Sequence, residues 1–450
     1  MDTRSFFTQM IREQKQGKAK GIYSVCSYNR YVVEAALKQA AEDNSPVLIE
    51  STCNQVNQYG GYTGMNPREF KRYIVSIAEN MGFPEERIII GGDHLGPFPF
   101  RDEDSNTAMQ KARQMIEDYV NAGFTKIHLD SSPRLADDPG EGTAPLDPDI
   151  IAERCAELCS TAESAFQEQK KKNKDADAPV YVIGTDVPTP GGSDEVEEGV
   201  KITDVSEFNK TVAATKELFS SHNLHQAWDR VVAVVVQPGV EHGDHTIVEY
   251  DRNKAKDLTA SLKEYPHIVF EGHTTDNQTI SGLKQMVEDG IAILKVGPSL
   301  TFAAREAVFM LEYTEKELHQ VKKFDSLSHF MHTLDKAMLK NPIHWEKHYR
   351  GGENYRKFSR KYSFFDRARY YWVDEQVKAS LSRLISNLRS VNIPLTLISQ
   401  FMPMQYRKVR NGGLAKDPEE LIRDRIRDVI KEYVYAAGQR SRVGIFPFIK

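Results

Sequence analysis

The sequence predicts an α/β protein, a closed (β/α)8 barrel with a helical C-terminal extension, and three observations carry that prediction. Eight short β-branched or apolar runs recur between residues 21 and 298, each followed by an amphipathic stretch, so that strand and helix alternate. The runs are apolar along their length rather than in alternation, as expected of parallel strands covered on both faces. Beyond residue 320 the strand rhythm stops and only helical periodicity continues. Eight strand-helix units suit a closed barrel better than an open sheet, and the span exceeds the ~250 residues typical of that fold only modestly.

In order, the expected strands are "GIYSVCS" (21 to 27), "PVLIEST" (46 to 52), "RIIIGGDH" (87 to 94) and "TKIHLDSS" (125 to 132). "VYVIGTDV" (180 to 187), "RVVAVVVQPG" (230 to 239), "HIVFEGHT" (267 to 274) and "AILKVGP" (292 to 298) complete the set. The helices between them carry their own punctuation: "NPREFKRYIVSIAENMG" has Pro67 in its first turn and Gly82 at its end, and "DNQTISGLKQMVEDG" stops at Gly290. Two polar stretches, 166 to 179 and 187 to 201, lengthen the barrel; the lysines at 170 to 172 read as a solvated helix end. These patterns divide the chain into a catalytic barrel, 1–320, and a mainly helical extension, 321–450, packing on it. The aromatic string "ARYYWVD" (368 to 374) reads as ordinary packing, the alternative being a reach over the barrel mouth or onto a neighbouring subunit.

Bulk properties exclude several classes. The 450 residues are 40% hydrophobic and 27% charged with a net charge of −5, which fits neither a polyanion binder nor a membrane-surface protein. The polar opening "MDTRSFFTQMIREQKQGKAK" is no secretory leader, and no apolar run nears the roughly 20 residues of a membrane span, so a cytoplasmic location is expected. Cys26, Cys53, Cys155 and Cys159 form no CxxC pair and read as reduced thiols, the last two as small core residues. The GxGxxG, GxxxxGK[ST] and GxSxG patterns and a basic, aromatic-interleaved stripe are all missing, which disfavours nucleotide-dependent chemistry, a nucleophilic serine and nucleic-acid binding.

Barrel enzymes carry chemistry at the C-terminal ends of their strands. Here nearly every run ends in a polar group: Cys26 and Ser27, Glu50 and Asn54, Asp93 and His94, His128 and Asp130, Asp186, Gln237 and Glu241, Glu271, His273 and Asp276, and Lys295. Polar groups that follow buried apolar runs are costly unless they do something, so the rim is the expected active site. Its imidazoles and carboxylates suit a divalent ion such as Zn2+, Mn2+, Co2+ or Ni2+, with His94, Asp186, Glu241 and His273 foremost among the candidate ligands. His128 reads as a core hydrogen-bonding residue, while His242 and His245 sit in a polar loop and stay in reserve. Gly91, Gly92 and Gly96 around the Asp-His pair read as room for a sugar against the backbone.

Those strand ends, with "VLIESTCNQVNQYGGYTGM", "IIIGGDHLGP", "YVIGTDVPTPGG", "VFEGHTTDNQT", "ILKVGPSLTFAAREA" and "RKYSFFDRARYYW", resemble the tagatose-bisphosphate aldolase accessory subunits, long labelled tagatose 6-phosphate kinases. The resemblance is end to end and strongest to thermophilic members reported as ketohexose 4-epimerases. That family is in turn similar to the metal-dependent class II aldolases, in which an Asp-His pair ends the third strand and a further His the seventh. Carried over, Asp93 is an acid/base and His94 and His273 are ligands, with Glu241 substituting for the sixth-strand histidine and His242 or His245 as fallback. The aldolases' glycine-rich phosphate loops are replaced by "GHTTDNQT" and "GPSLTFAARE", although Ser299, Thr301 and a helix N-terminus remain available to an anion.

The resemblance implies a metal-dependent 4-epimerase of D-tagatose and D-fructose, or their phosphates, working by retro-aldol chemistry. Asp93 is one acid/base, Asp186 or Glu50 the other, and Lys295 stabilises developing charge; Ser27, Asn54, Gln58, Asp130, Gln237, Asp276 and Ser299 are the expected sugar contacts. The alternative is a non-catalytic subunit of a class II tagatose-bisphosphate aldolase. A ketose, an aldolase subunit and further copies of the chain are the implied partners; nucleic acid and membranes are not.

Overall fold

Strands form where β-branched residues concentrate, and the computed structural model, which describes residues 2–140, 146–184 and 200–439, pairs them into one closed sheet. Its eight parallel strands are β1 (Ile22–Val25), β2 (Val47–Thr52), β3 (Ile88–Leu95), β4 (Lys126–Leu129), β5 (Val180–Ile183), β6 (Val231–Val236), β7 (Val269–Gly272) and β8 (Ile291–Val296). They neighbour one another in chain order, and β1 closes on β8. All are buried apart from a half-buried residue at each outer end of β2 and β3. This is the (β/α)8 barrel expected from the alternation.

The helices of eight or more residues described between strands begin at side-chain caps, each supplying an acceptor to first-turn N–H groups that lack an intrahelical partner. Asn66 opens Pro67–Met81 with a capping box to Glu69, and Gly82, at φ 66°, ends it in the left-handed conformation. Asp104, Asp147, Asp204, Asp251 and Thr279 cap Ser105–Ala122, Pro148–Lys172, Val205–Ser221, Arg252–Ser261 and Ile280–Glu288. Helix Pro148–Lys172 ends on the exposed lysines 170 to 172.

Three features lie outside the pattern read from the sequence. An N-terminal helix, Thr3–Lys15, packs Phe7, Met10 and Ile11 against Ile22, Leu48, Ile89, Val180, Val232, Val269 and Ile293, forming an apolar floor inside the barrel. A short antiparallel ribbon, Glu241–His242 with Ile247–Val248, follows β6. The last helix, Pro418–Ala436, packs against Arg30–Asp43, Ile280–Glu288 and β1, with Pro298–Lys322 on its other side. The extension thus contributes a helix to the barrel's outer layer, and one hydrophobic cluster runs through both. No helix among the described residues is long and apolar enough to cross a membrane.

Candidate active site

Successive strand residues normally face opposite sides of a sheet, yet Asp93 and His94 both line one cavity. The strand makes this possible by breaking register with β4 between Gly92 and Leu95, and His94 takes a left-handed φ of 51°. The glycines serve the protein rather than a sugar, which corrects the sequence reading. A Cβ on Gly91 would stand 2.5 Å from Glu50 Oε1, and one on Gly96 only 1.7 Å from the Asp130 carbonyl oxygen, while Gly92 leaves space for Leu95 and Tyr119.

With Gly91 bare, Glu50 on β2 and Lys126 on β4, which flank it in register, meet inside the barrel above the apolar floor. Lys126 Nζ, fully buried, lies 2.6 Å from Glu50 Oε1 and 2.7 Å from Glu271 Oε2. Glu50 also holds the Lys295 ammonium, which lies 3.1 Å from Asp93 Oδ2. Burial works against a charged Glu271, but Lys126 and His273 outweigh it and hold the carboxyl at about 2. Asp93 behaves alike: burial opposes its charge, while His94, His273 and His128 hold its pKa far below the carboxylate range. Asp93 is therefore held as a carboxylate at neutral pH.

The imidazoles are oriented by neighbours. His94 Nδ1 lies 2.7 Å from Asp130 Oδ2, which leaves Nε2 towards the cavity, and His273 Nε2 is 3.0 Å from Glu271 Oε1. His128 donates from Nε2 to the Gly184 carbonyl at 3.0 Å, with Nδ1 2.9 Å from Asp93 Oδ1. His242, buried and lining the same cavity, finds no hydrogen-bond partner for either ring nitrogen among the described residues, and burial lowers its pKa, which favours a neutral imidazole. Asp93, His128, Glu271 and His273 also place ligand atoms within 4.8 Å of one another, a buried group that could hold a metal ion.

The cavity, of about 130 Å³, is lined by Cys26, Thr52, Asn54, Gln55, Asp93, His94, His242, His273, Asp276 and Lys295 from the barrel, and by Phe365, Arg369 and Tyr370 from the extension. It is far smaller than the ~300–1,000 Å³ of drug-sized pockets, which suits a small polar ligand. The aromatic string therefore reaches over the barrel mouth instead of only packing. No periodic signal marks that reach; the cluster of Arg and aromatic residues was the only hint. Lys126 was legible in principle, as a charged residue inside an apolar strand.

The remaining expected residues are placed as follows. Asp276 Oδ1 accepts from the backbone N–H groups of Gly297 (3.0 Å) and Ser299 (2.8 Å), so a carboxylate of the protein occupies the N-terminus of Pro298–Lys322. Glu50 stands behind Lys295, and Asp130 behind His94. Glu241 accepts from the His242 N–H at 2.9 Å and lies outside the cavity wall; burial raises its pKa to about 7. Ser27 accepts from Asn29 N–H, Gln58 donates to the Lys111 carbonyl, and Gln237 accepts from the N–H groups of Gly239 and Val240, all in local structural roles. His245 packs on Tyr355 and Phe358 of the extension. Asp186 lies outside the described residues.

Comparison with solved structures returns a probable tagatose 6-phosphate kinase from Sinorhizobium meliloti 1021, 40% identical, with a TM-score of 0.83 over 93% of this chain and 100% of that one. The YdjI aldolase from Escherichia coli K12 is 15% identical, with a TM-score of 0.41 over 70% of this chain and 87% of its own. The fructose-bisphosphate aldolase of Campylobacter jejuni is 13% identical, with a TM-score of 0.41 over 88% and 96%. Residues 7–438 match the family described as D-tagatose-1,6-bisphosphate aldolase subunit GatZ/KbaZ-like, and the chain belongs to that family.

Proposed function

We propose that the chain is a cytoplasmic, divalent-metal-dependent ketohexose 4-epimerase that interconverts D-tagatose and D-fructose, or their phosphates, by retro-aldol and aldol steps at the C3–C4 bond. The observation that carries this reading is the Asp93 carboxylate, which faces a small cavity with the Lys295 ammonium 3.1 Å away and three imidazoles around the same space. His94, His242 and His273 line the cavity and are the candidate imidazole donors for a divalent ion, beside the closer group of Asp93, His128, Glu271 and His273: both His242 ring nitrogens are unpartnered among the described residues, and Asp130 fixes His94 as carboxylates commonly fix ligating histidines. Glu241, beside His242, is the nearest further carboxylate on that loop. Zn2+, Mn2+, Co2+ and Ni2+ all suit such donors. An ion held there supplies a Lewis acid for the C2 carbonyl.

The protein's own groups account for the proton movements. Asp93 takes the C4 hydroxyl proton, the C3–C4 bond breaks, and its electrons form the enediolate of the three-carbon fragment beside Lys295. The aldehyde, kept under Phe365 and Tyr370, turns its other face and the bond re-forms with C4 inverted. A proton returns to the C4 oxygen, a role assigned to Asp186 or to Glu50 acting through Lys295, the latter on the same side as Asp93 because Lys295 lies 3.1 Å from it. Atoms balance, and no co-reactant is consumed. A nucleotide would have neither a P-loop nor sufficient room, which disfavours a sugar-phosphate kinase.

A second reading, an accessory subunit of a class II aldolase, is favoured by the family's description and by the exposed aromatic side chains Tyr355, Phe358 and Tyr362 on one helix of the extension. One experiment separates the two. The purified chain is supplied in turn with Mn2+, Co2+, Ni2+ and Zn2+, and D-fructose and D-tagatose are followed by chromatography. Conversion supports the epimerase; no conversion with any metal, with stimulation of an added class II aldolase subunit, supports the accessory role.

A further inference from the structure

The cavity holds two cations of different standing. Lys295 is neutralised by Glu50 and Asp93. Arg369, brought in by the extension, pairs with no carboxylate among the described residues. Its Nη1 donates to the carbonyls of Phe365 and Asp366, its Nη2 lies 3.0 Å from the Tyr370 hydroxyl, and the Tyr62 hydroxyl also faces the guanidinium, which leaves at most the Nε–H and one Nη2 hydrogen for a ligand.

The fold invests in fixing this guanidinium. Tyr28, on the loop after β1, donates its hydroxyl to the Arg369 carbonyl at 2.8 Å, and the Tyr370 ring lies under the guanidinium at 4.5 Å. Tyr370 is itself held by His344, stacked at 4.5 Å, and by Tyr62, edge-on at 4.7 Å. An arginine already locked in place loses little entropy on binding, and its planar fork matches carboxylate and phosphate oxygens. Asp276 meanwhile fills the helix N-terminus on the barrel side with a negative charge, so an anionic group is disfavoured there.

We infer that Arg369 is the subsite for an anionic terminal group of the sugar, a phosphate ester or a carboxylate on the carbon farthest from the C2 carbonyl. The inference rests on the ketose reading of the cavity and narrows it: the substrate is a ketose charged at one end only, and the extension selects for that charge.

Calorimetric titration of the full-length protein with D-fructose, D-fructose 6-phosphate and D-fructuronate tests this. The wild type should bind at least one of the two anions about 10- to 100-fold more tightly than D-fructose, as a charge-assisted hydrogen-bonded pair would give. Which anion holds the advantage identifies the source of the charge. Arg369→Gln should bring the affinity ratio of the favoured anion to D-fructose, measured on the same variant, down to within about twofold of one. Equal affinity for all three ligands in the wild type, or an advantage that survives Arg369→Gln, overturns the inference. Should Arg369→Gln fail to fold, Arg369→Lys decides: it keeps the charge and loses the fork, so the advantage should shrink by at least threefold, and an unchanged advantage overturns the inference. Failure of the epimerase reading looks different: the anion advantage persists, and neither free nor charged ketose is converted.

Discussion

Asp93 faces a demand that its position meets in an unusual way. It is buried, which by itself would neutralise it, yet His94, His273 and His128 keep it a carboxylate, so it enters the reaction unprotonated. Asp93→Asn should keep fold and bound metal while kcat falls by roughly 10²- to 10⁴-fold, the usual worth of general acid/base catalysis; a sugar assay and metal analysis of one preparation check both halves. Asp130 works one step removed, through His94. Asp130→Asn should weaken metal affinity by about 10- to 100-fold, measured by competition with a chelator, and unaltered affinity would remove His94 from the ligand set. Both acids could be read from the sequence because each ends a strand. The unpartnered state of His242 could not, since nothing local to "VEHGDH" says which of its groups is buried.

Across elements, the polar layer over the barrel floor depends on strands that are not adjacent in the sheet and whose side chains meet only inside the barrel. Lys126 on β4 holds Glu50 on β2 and Glu271 on β7 together, a pairing permitted by the bare Gly91 between them. Lys126→Met removes the cation that two buried carboxylates share, leaving Glu50 with Lys295 and Glu271 with His273, and should cost about 3–5 kcal/mol in denaturant unfolding. A second tie joins the loop after β4 to the next helix: Arg154 grips Asp138 with two nitrogens, at 3.0 and 2.5 Å. Burial opposes the Asp138 charge, but Arg154 and the Leu135 N–H outweigh it, and its pKa is lowered in the fold. A lowered folded pKa means stability that is present above the unfolded value of ~3.9 and lost as pH falls below it. The stability gap between wild type and Asp138→Asn should therefore be constant above about pH 5 and shrink in acid. A gap that does not change with pH would show that Asp138 titrates normally.

For the whole molecule, one hydrophobic cluster includes residues of both barrel and extension. Pro418–Ala436 covers Arg30–Asp43 and Ile280–Glu288, and Tyr433 donates to the Thr275 carbonyl at 2.7 Å within the barrel. A chain ending at residue 417 would expose the apolar faces of three helices; it should lose cooperative unfolding, seen by calorimetry, and not merely activity. Cooperative unfolding of that truncated chain would mean the barrel folds alone. The sequence by itself determined the strand count, the alternation that closes the barrel and the acids and imidazoles at strand ends, because each depends on runs of four to eight neighbouring residues. Tertiary packing sets the rest: the last helix joins the barrel's outer layer, Thr3–Lys15 floors it, Gly91 in β3 and Gly96 just after it make room for Glu50 and the Asp130 backbone, and Arg369 and Tyr370 roof the cavity. Those features join residues dozens to hundreds of positions apart, and their pairing is set by packing and charge balance, which no local pattern in the chain records.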